Sequence, residues 1–408
     1  FWSLFDAWVD QNPPQQSVAW GCGQEIAFRL MAMLFGAMVT RSSAAATGER
    51  LYRLSRFAWQ AGRQIDVNIN YARSQKNNHA LSEAAGLWTI GLLFPEFPQA
   101  GRWRDRGRRI LAAETRRQIY DDGSYVQHST NYHRVMMDDL LWAVRLGEIA
   151  GQPLPEVVYD RFRRATGWLL EMIDPVCGRV PNYGSNDGAQ VLPLSCCDYL
   201  DYRPVVQAAH VLLHGKRCVA PGAWDEKALW LAGRQALNVA AAPARRAAAY
   251  SAPDGGYYIL RGQNSWAMTR CHTYRDRPSQ ADMLHVDLWH DGVNVLRDAG
   301  SYLYYCQEPW KHHFHSTAAH NTVEIDGRDQ MTKGPRFLWF HWTRSKLLRF
   351  RTSSDGRIGV FEGEHYGYDD ANCGTPVIHR RRICRVEDVY IVMDGLLGGP
   401  GSRNATLR

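Results

Sequence analysis

The hydrophobic pattern of the chain changes its period once, near residue 245, and this change constrains the fold more than any other feature. Before that point apolar residues recur three or four positions apart, as at Ile26, Leu30 and Met33, which is typical of amphipathic helices. After it apolar and polar residues alternate, as in residues 284–289, which is typical of half-buried strands. The 408 residues also exceed what one hydrophobic core usually supports. We therefore predict two domains, a helical one over residues 1–244 and an antiparallel β domain over residues 245–408.

The order of the segments predicts how each domain is built. The helical segments follow one another through connections that contain Pro and Gly, such as residues 151–153 and 181–184. No fixed-period repeat accompanies them, which argues against solenoids of the TPR or HEAT type. The strands after residue 245 are separated by turns such as residues 254–256 and 326–327, which favours a sandwich. The predicted fold class is multi-domain α+β, with an N-terminal (α/α) toroid of helical hairpins followed by an antiparallel β-sandwich.

Charge and hydropathy limit the possible partners. The net charge of +7, from 48 basic and 41 acidic residues, suits an anionic ligand. The basic residues at 102–109 lie between helical segments, those at 380–382 alternate along a strand, and no nucleic-acid motif accompanies either group. The longest apolar run, residues 26–39, contains Arg29 and is too short to cross a bilayer. We therefore expect an anionic partner that is not nucleic acid, and no membrane span.

The cysteines and the chain ends carry further expectations. The nine cysteines lack any CxxC pair, and the adjacent Cys196 and Cys197 bridge only with strain. This pattern predicts reduced thiols, or at most one or two disulfides, and excludes a zinc-finger spacing. The sequence opens on Phe1 without a Met and ends at Arg408 shortly after a strand and a Gly-rich turn. We expect the natural protein to begin earlier and the β domain to be truncated.

Three polar clusters in the helical region are candidate sites. Residues 77–83, at the start of a predicted helix, fit either a helix cap or a binding site. Residues 127–133 are all polar or polar-tipped and directly precede an apolar helix, which is more than a cap requires. Residues 181–188 fit either a polar loop or part of a site.

The β region adds a fourth cluster, in which residues 277–285 are followed by Asp298 and by several histidines, ending at His320. A single His in a strand is usually a core residue. Several of them near an Asp fit either a core or a metal or catalytic site.

Taken in order, these motifs resemble the heparinase II/III-type polysaccharide lyases, relatives of which also degrade alginate. The similarity extends over essentially the whole chain. Each motif is weak alone, but the ordered combination is specific. The motifs include Asn78-His79, Asp122-Gly123-Ser124, Tyr132-His133, Arg277-Pro278-Ser279-x-Ala281-Asp282, His320-Asn321-Thr322-Val323 and His365-x-Gly367-Tyr368.

The resemblance implies β-elimination at a uronic acid. In that reaction a base removes the C5 proton, the neighbouring carboxylate is neutralised, and an acid protonates the departing O4. By carry-over, Asn78 and His79 bind or neutralise the carboxylate. Tyr132 is then the acid and, for some substrate stereochemistries, also the base. A phenol serves both roles only if nearby positive charge lowers its pKa, and His79, His133 and Arg277 are the candidates for this.

The substrate implied by the resemblance is an anionic polysaccharide held in the cleft between toroid and sandwich. No cofactor is required for the chemistry. The residues expected to bind the substrate beside the catalytic group are Gln127, Asn182, His285 and Tyr302.

A metal site is also implied, formed by Gln280, Asp298 and His320. Related lyases often carry His-x-His at this point, the first His catalytic and the second a metal ligand, whereas this chain has Pro278 and Gln280. An amide is a poor zinc ligand beside imidazole. We therefore expect a weak structural Zn or Ca site or none, unless another histidine replaces the missing ligand. The same change leaves the identity of the general base open.

Two alternatives to a lyase remain at this point. The missing histidines favour a lyase-like protein that binds a glycan without cleaving it. An α/α-toroid glycoside hydrolase would need two carboxylates facing the cleft, and Asp121, Asp122 and Asp187 are the candidates.

Overall fold

The N-terminal part of the chain is helical. The computed structural model describes residues 1–242, 246–303, 306–369, 376–398 and 403–408. The helices of the N-terminal part are α1 (Trp2–Gln11), α2 (Gly23–Val39), α3 (Gly48–Ser74), α4 (His79–Leu93), α5 (Ala100–Gln118), α6 (Thr130–Ile149), α7 (Glu156–Met172), α8 (Arg203–His214) and α9 (Glu226–Ala232).

These helices pack in two rows. An inner row of α2, α4, α6 and α8 is in mutual contact, and α3, α5 and α7 cover it from outside. Helix α4 is buried along almost its entire length because it contacts α2, α3, α5 and α6. Gly107 allows α5 to approach α4 closely, since a Cβ there would lie 2.7 Å from the Ala84 carbonyl oxygen. The predicted toroid of helical hairpins is confirmed.

The C-terminal part consists of strands with one short helix, α10 (Trp310–His313). The strands are β1 (Ala249–Ala252), β2 (Tyr257–Arg261), β3 (Ser265–Arg270), β4 (Val286–His290), β5 (Val293–Leu296), β6 (Val323–Ile325), β7 (Thr332–Lys333), β8 (Trp339–Phe340), β9 (Ser345–Thr352), β10 (Ile358–Tyr368), β11 (Val377–Val386), β12 (Val389–Gly398) and β13 (Ala405–Leu407).

Two antiparallel sheets face each other in this part. One has the order β1-β2-β3-β4-β5 and the other β12-β11-β10-β9, and the pairs β6–β13 and β7–β8 flank them. Tyr258 and Leu260 of the first sheet pack against Phe361 and Ile383 of the second in one apolar core. This confirms the predicted antiparallel β-sandwich. The predicted boundary between residues 244 and 245 falls in residues 243–245, outside the described residues.

The helical core continues into the first sheet, so the two parts share a packed interface. Trp168 of α7 meets Tyr257 of β2 edge to face at 4.9 Å, and both belong to the core that also contains the helices. The Trp266 indole donates a hydrogen bond to Asp174 Oδ2 at 3.0 Å. The Tyr120 hydroxyl donates to Asp276 Oδ2 at 2.7 Å. These bonds join the segments that follow α7 and α5 to β3 and to the loop that precedes β4, respectively.

Two further expectations concern membranes and thiols. Among the described residues, none of the helices combines the length and apolar character needed to cross a bilayer. The eight cysteines in the described part of the chain are all unbridged.

Candidate active site

A cleft of about 720 Å³ lies between the helical part and the sandwich. Its helical wall comes from the α2 start, the α3 end, the α4 start and the segment before α6. Its other wall comes from the loop before β4 and from residues 333–342. The residues that bear on its chemistry are Cys22, Asn78, His79, Glu83, Gln127, Tyr132, Arg277 and Lys333. Five of the twelve predicted site residues therefore meet in one cavity: Asn78, His79, Gln127, Tyr132 and Arg277.

At the start of α4, one asparagine caps the helix and the next one is available to a ligand. The Asn77 side-chain oxygen accepts the His79 peptide N–H at 3.2 Å. The Asn78 peptide N–H instead donates to Gln127 Oε1 at 2.9 Å. Within the described residues the Asn78 side chain makes no capping bond, although it is buried and lines the cleft. The sequence left open whether this segment caps the helix or binds a ligand. Asn77 provides the cap, so the Asn78 amide can hydrogen-bond a ligand.

His79 presents a neutral imidazole to the cleft. Burial lowers its pKa, the positive charge of Arg277 lowers it further, and Asp187 opposes both effects. Its Nδ1 lies 3.9 Å from the Cys22 sulfur. A neutral ring can accept a proton, or donate a hydrogen bond to a carboxylate. Full charge neutralisation of a substrate carboxylate therefore falls to a cation such as Arg277.

Tyr132 is positioned by the first turn of α6. Its peptide N–H donates to the N-cap Ser129 hydroxyl at 3.1 Å, and its phenol donates to Asp187 Oδ2 at 2.7 Å. The loop that carries Asp187 is tied to the other domain, because the Ser185 peptide N–H donates to the Ser279 hydroxyl at 3.0 Å. Gly184 allows this path: its φ is +78°, and a Cβ there would lie 2.1 Å from the His128 carbonyl oxygen. Asp187, which the sequence offered only as a hydrolase residue, is thus the group that orients the phenol.

The sandwich side of the cleft concentrates positive charge. The half-buried Arg277 guanidinium lies 5.3 Å from the centre of the Phe337 ring. The Lys333 ammonium lies 5.2 Å from the Trp339 ring and donates to the Gly334 carbonyl at 3.1 Å. Burial lowers the pKa of Lys333, and the charges of Lys311 and Arg277 lower it further. Cations held this close attract an anionic ligand.

Glu83 is a site residue that sequence reasoning did not assign. It follows His79 by four positions on α4, and this spacing places both on one helix face. It is buried, lines the cleft, and its Oε2 has no partner among the described residues. Its carboxyl packs on Gly23, where a Cβ would lie 2.4 Å from its Cδ. Burial raises the pKa of Glu83 to about 7.

Four predicted catalytic or substrate-binding residues, and the three predicted metal ligands, lie outside the cleft lining. His133 is buried in the helical core, where its Nε2 lies 3.0 Å from the Ala165 carbonyl and its ring stacks on Trp168. Burial lowers the pKa of His133 to about 3, so it carries no charge that could act on Tyr132. Asn182 accepts a hydrogen bond from the Asn186 amide at 3.2 Å. Tyr302 is exposed and packs near Phe314. These contacts do not support the roles predicted for the three residues.

The predicted metal ligands are brought together in a buried cluster. Gln280 Nε2 lies 2.6 Å and His320 Nε2 lies 3.5 Å from Asp298 Oδ2. The fourth residue outside the cleft, His285, has its ring 5.5 Å from that of His320 and accepts the Asn321 peptide N–H at 3.0 Å.

The donors in this cluster do not fit zinc as they stand. Burial alone would lower the pKa of His320, but the Asp298 carboxylate raises it to about 9, so a metal ion would have to displace a proton from this imidazole. Gln280 presents an N–H group, not an oxygen, to the carboxylate. In the part of the chain that the structure describes, no three His, Cys, Asp or Glu side chains are grouped to hold a metal ion. The arrangement is that of a hydrogen-bonded cluster around one carboxylate.

The candidate pair for a hydrolase is not assembled. Asp121 forms an ion pair with Arg161 at 2.6 Å, and Asp122 accepts the Ser124 and Gly255 peptide N–H groups, each at 3.0 Å. Neither carboxylate lines the cleft.

Comparison with known proteins places this geometry in context. Two family models match the chain: Heparinase II/III N-terminus over residues 1–193, and Heparinase II/III-like, C-terminal over residues 244–408. A heparin-sulfate lyase of Bacteroides thetaiotaomicron is 25% identical over 374 residues, which cover 86% of this chain and 49% of that protein. One of Bacteroides stercoris is 22% identical over 351 residues, which cover 81% and 45%. The chain thus spans about half the length of the curated relatives it matches.

Solved structures share the fold. A crystal structure of heparinase III superposes with a TM-score of 0.71 at 20% identity, covering 97% of this chain and 59% of that one. The heparan sulfate lyase HepC from Pedobacter heparinus gives a TM-score of 0.63 at 19% identity, covering 97% and 58%. At this level of identity the likeness shows the architecture of toroid and sandwich.

Proposed function

The chain belongs to the heparinase II/III-like family, and on that premise we propose that it is a polysaccharide lyase that cleaves a uronate-containing glycan by β-elimination. The observation that carries the proposal is the meeting of Asn78, His79 and Tyr132 with Arg277 in one cleft between the domains. Because two of the matched relatives are described as heparin-sulfate lyases, a glycosaminoglycan is the proposed substrate.

The first requirement of the reaction is to stabilise charge on the uronate carboxylate as the C5 proton leaves. The Asn78 amide can donate a hydrogen bond to one carboxylate oxygen, and neutral His79 can donate a second. Arg277 supplies the positive charge, which acts strongly because the cleft is partly shielded from water. Donors fixed by helix α4 and by the loop before β4 need little rearrangement when the charge develops.

The second requirement is proton transfer, which we assign to Tyr132. Its hydroxyl already donates to Asp187, so the phenol is held with its proton directed away from the helix. A substrate whose O4 displaces Asp187 would receive that proton as the glycosidic bond breaks. For substrates in which Tyr132 acts only as the acid, His79 is instead the proposed base, and its neutral ring takes the C5 proton while Asn78 and Arg277 hold the carboxylate.

The Gln280–Asp298–His320 cluster has a supporting role in this proposal, and no step passes through a metal. Gln280 lies three residues after Arg277 in the same loop. Its hydrogen bond to the buried Asp298 therefore anchors the loop that carries the cation. The hydrogen bonds that surround Asp298 offset the cost of burying it.

The test is a panel of uronate glycans, with heparan sulfate, chondroitin, hyaluronan and alginate as substrates. A lyase creates a 4,5-unsaturated uronate, so ultraviolet absorbance should rise with at least one of them. New reducing ends without absorbance would indicate a hydrolase. Binding without either product would indicate a protein that holds glycan but does not cleave it.

A further inference from the structure

The mouth of the cleft carries aromatic side chains that the proposed chemistry does not use. Trp342 is 39% exposed and Phe337 is 45% exposed on the sandwich side, and Tyr71 of α3 is 71% exposed on the helical side. All three line the cleft. Large apolar side chains exposed together are unfavourable in water, so such a group indicates a binding surface.

The aromatic residues on the sandwich side are held by a fixed backbone. The Gly334 peptide N–H donates to the Leu338 carbonyl at 2.9 Å and closes the turn between β7 and β8. Buried Trp339 donates from its indole to the Ser279 carbonyl at 3.3 Å and joins this hairpin to the loop of Arg277. The Trp342 indole donates in turn to the Trp339 carbonyl at 2.7 Å. A ligand that stacks on Trp342 therefore meets a surface that is already ordered.

The opposite lip combines one aromatic ring with amides. Asn68, Tyr71 and Gln75 lie on one face of the last turns of α3 and its end, and all three line the cleft. A pyranose ring offers an apolar C–H face for stacking and hydroxyl groups for amides. Lys76 and Arg336 also line the mouth of the cleft, one on each side, and add positive charge.

We propose that Tyr71 and Trp342, with Phe337 beside them, form an outer subsite that binds sugar rings of an anionic glycan beyond the uronate being cleaved. This inference rests on the proposed function, since one glycan must extend from the aromatic residues to Tyr132. The subsite is continuous with the catalytic cleft and flanked by cations, which suits an acidic glycan and not an apolar protein surface.

The experiment compares Trp342→Ala and Tyr71→Ala with matched controls. Phe340→Ala removes a 48% exposed ring from the same hairpin, and Tyr52→Ala removes a 62% exposed ring from the same helix. Neither control residue lines the cleft. Affinity and kinetics are measured with the polymer that the panel identifies and with the shortest oligosaccharide that the protein still cleaves.

We expect KM and Kd for the polymer to rise about 3- to 10-fold in the two test variants, as the loss of one aromatic contact predicts. The values for the short oligosaccharide, kcat, and both controls should stay within about twofold of the wild type. Equal losses for short and long substrates, or losses in the controls as large as in the test variants, would overturn the inference. If the wild type cleaves the polymer and both test variants keep its affinity and kinetics, only the outer subsite is overturned. Binding without cleavage by the wild type would overturn the proposed function, and the affinities would still test the subsite. A wild type that binds no glycan in the panel would overturn both.

Discussion

Replacing Glu83 by Gln tests whether the floor of the cleft holds an unpaired carboxyl. The substitution keeps the shape of the side chain and removes only its ability to ionise. Because Oε2 has no partner within the described residues and the carboxyl packs on Gly23, ionisation in the folded state is opposed by burial.

The size of the effect follows from the pKa. Raising the Glu83 pKa from 4.5 to about 7 makes the ionised folded state about 3.5 kcal/mol less stable, at about 1.4 kcal/mol for each pH unit. Below pH 4.5 both the folded and unfolded chains carry the proton, and no penalty exists. Between pH 4.5 and 7 the unfolded chain loses the proton first, so the stability of the wild type falls. Above pH 7 the penalty stays constant.

The assay is urea unfolding at pH 5 and pH 8.5. The Gln variant should be more stable than the wild type by less than about 1 kcal/mol at pH 5 and by up to about 3.5 kcal/mol at pH 8.5. Glu96→Gln, at an exposed carboxylate just after the same helix, is the control and should show no such pH dependence. A variant that is less stable than the wild type at pH 8.5 would mean that Glu83 has a stabilising partner, and the reasoning would be refuted.

Three further predictions concern the other parts of the site. Tyr132→Phe should lower kcat about 10²- to 10⁴-fold with glycan affinity and melting temperature nearly unchanged, and near-normal turnover would remove Tyr132 from the mechanism. Asn78→Ala should lower kcat more than it raises KM, whereas Asn77→Ala should cost about 1 kcal/mol of stability with a smaller effect on kcat. Thermal melts and rate measurements on both variants separate the two effects. The reverse pattern would contradict the assignment of the helix cap to Asn77. The Gln280→His variant should bind zinc, and its melting temperature should rise when zinc is added, while the wild type should show neither effect. Elemental analysis and thermal melts check this. Stoichiometric zinc in the wild type would contradict the hydrogen-bonded cluster.

The site also indicates why the two domains must act together. Asn78 and Tyr132 lie at or next to helix starts in the toroid, whereas Arg277 lies in a loop of the sandwich. Their relative positions depend on interdomain bonds such as those of Asp276 and Ser279. Variants that loosen the interface should therefore reduce kcat without touching a catalytic group.

The architecture and the local part of the site could be predicted from the residue pattern alone. The change of hydrophobic period separated toroid from sandwich, because burial of one face imposes a period of 3.6 on helices and 2 on strands. The polar clusters at residues 77–83 and 127–133 marked two helix starts, since unsatisfied N–H groups there favour such residues.

Helix geometry also fits the different positions of Tyr132 and His133. Consecutive positions in a helix point about 100° apart, and here Tyr132 lines the cleft while His133 packs in the helical core. The four-residue spacing of Glu83 from His79 on α4 likewise indicates that the Glu83 carboxyl faces the cleft.

The pairing of the polar groups could be read only from the folded chain. Asp187 reaches Tyr132 across 55 residues, and Gln280 donates to Asp298 where the resemblance had implied a metal ligand. The aromatic residues at the cleft mouth come from α3 and from a hairpin more than 260 positions away. No periodicity encodes such contacts, because they depend on how separate elements pack. The pKa of a buried group follows from the same packing, since it depends on the burial and the neighbouring charges that this packing creates.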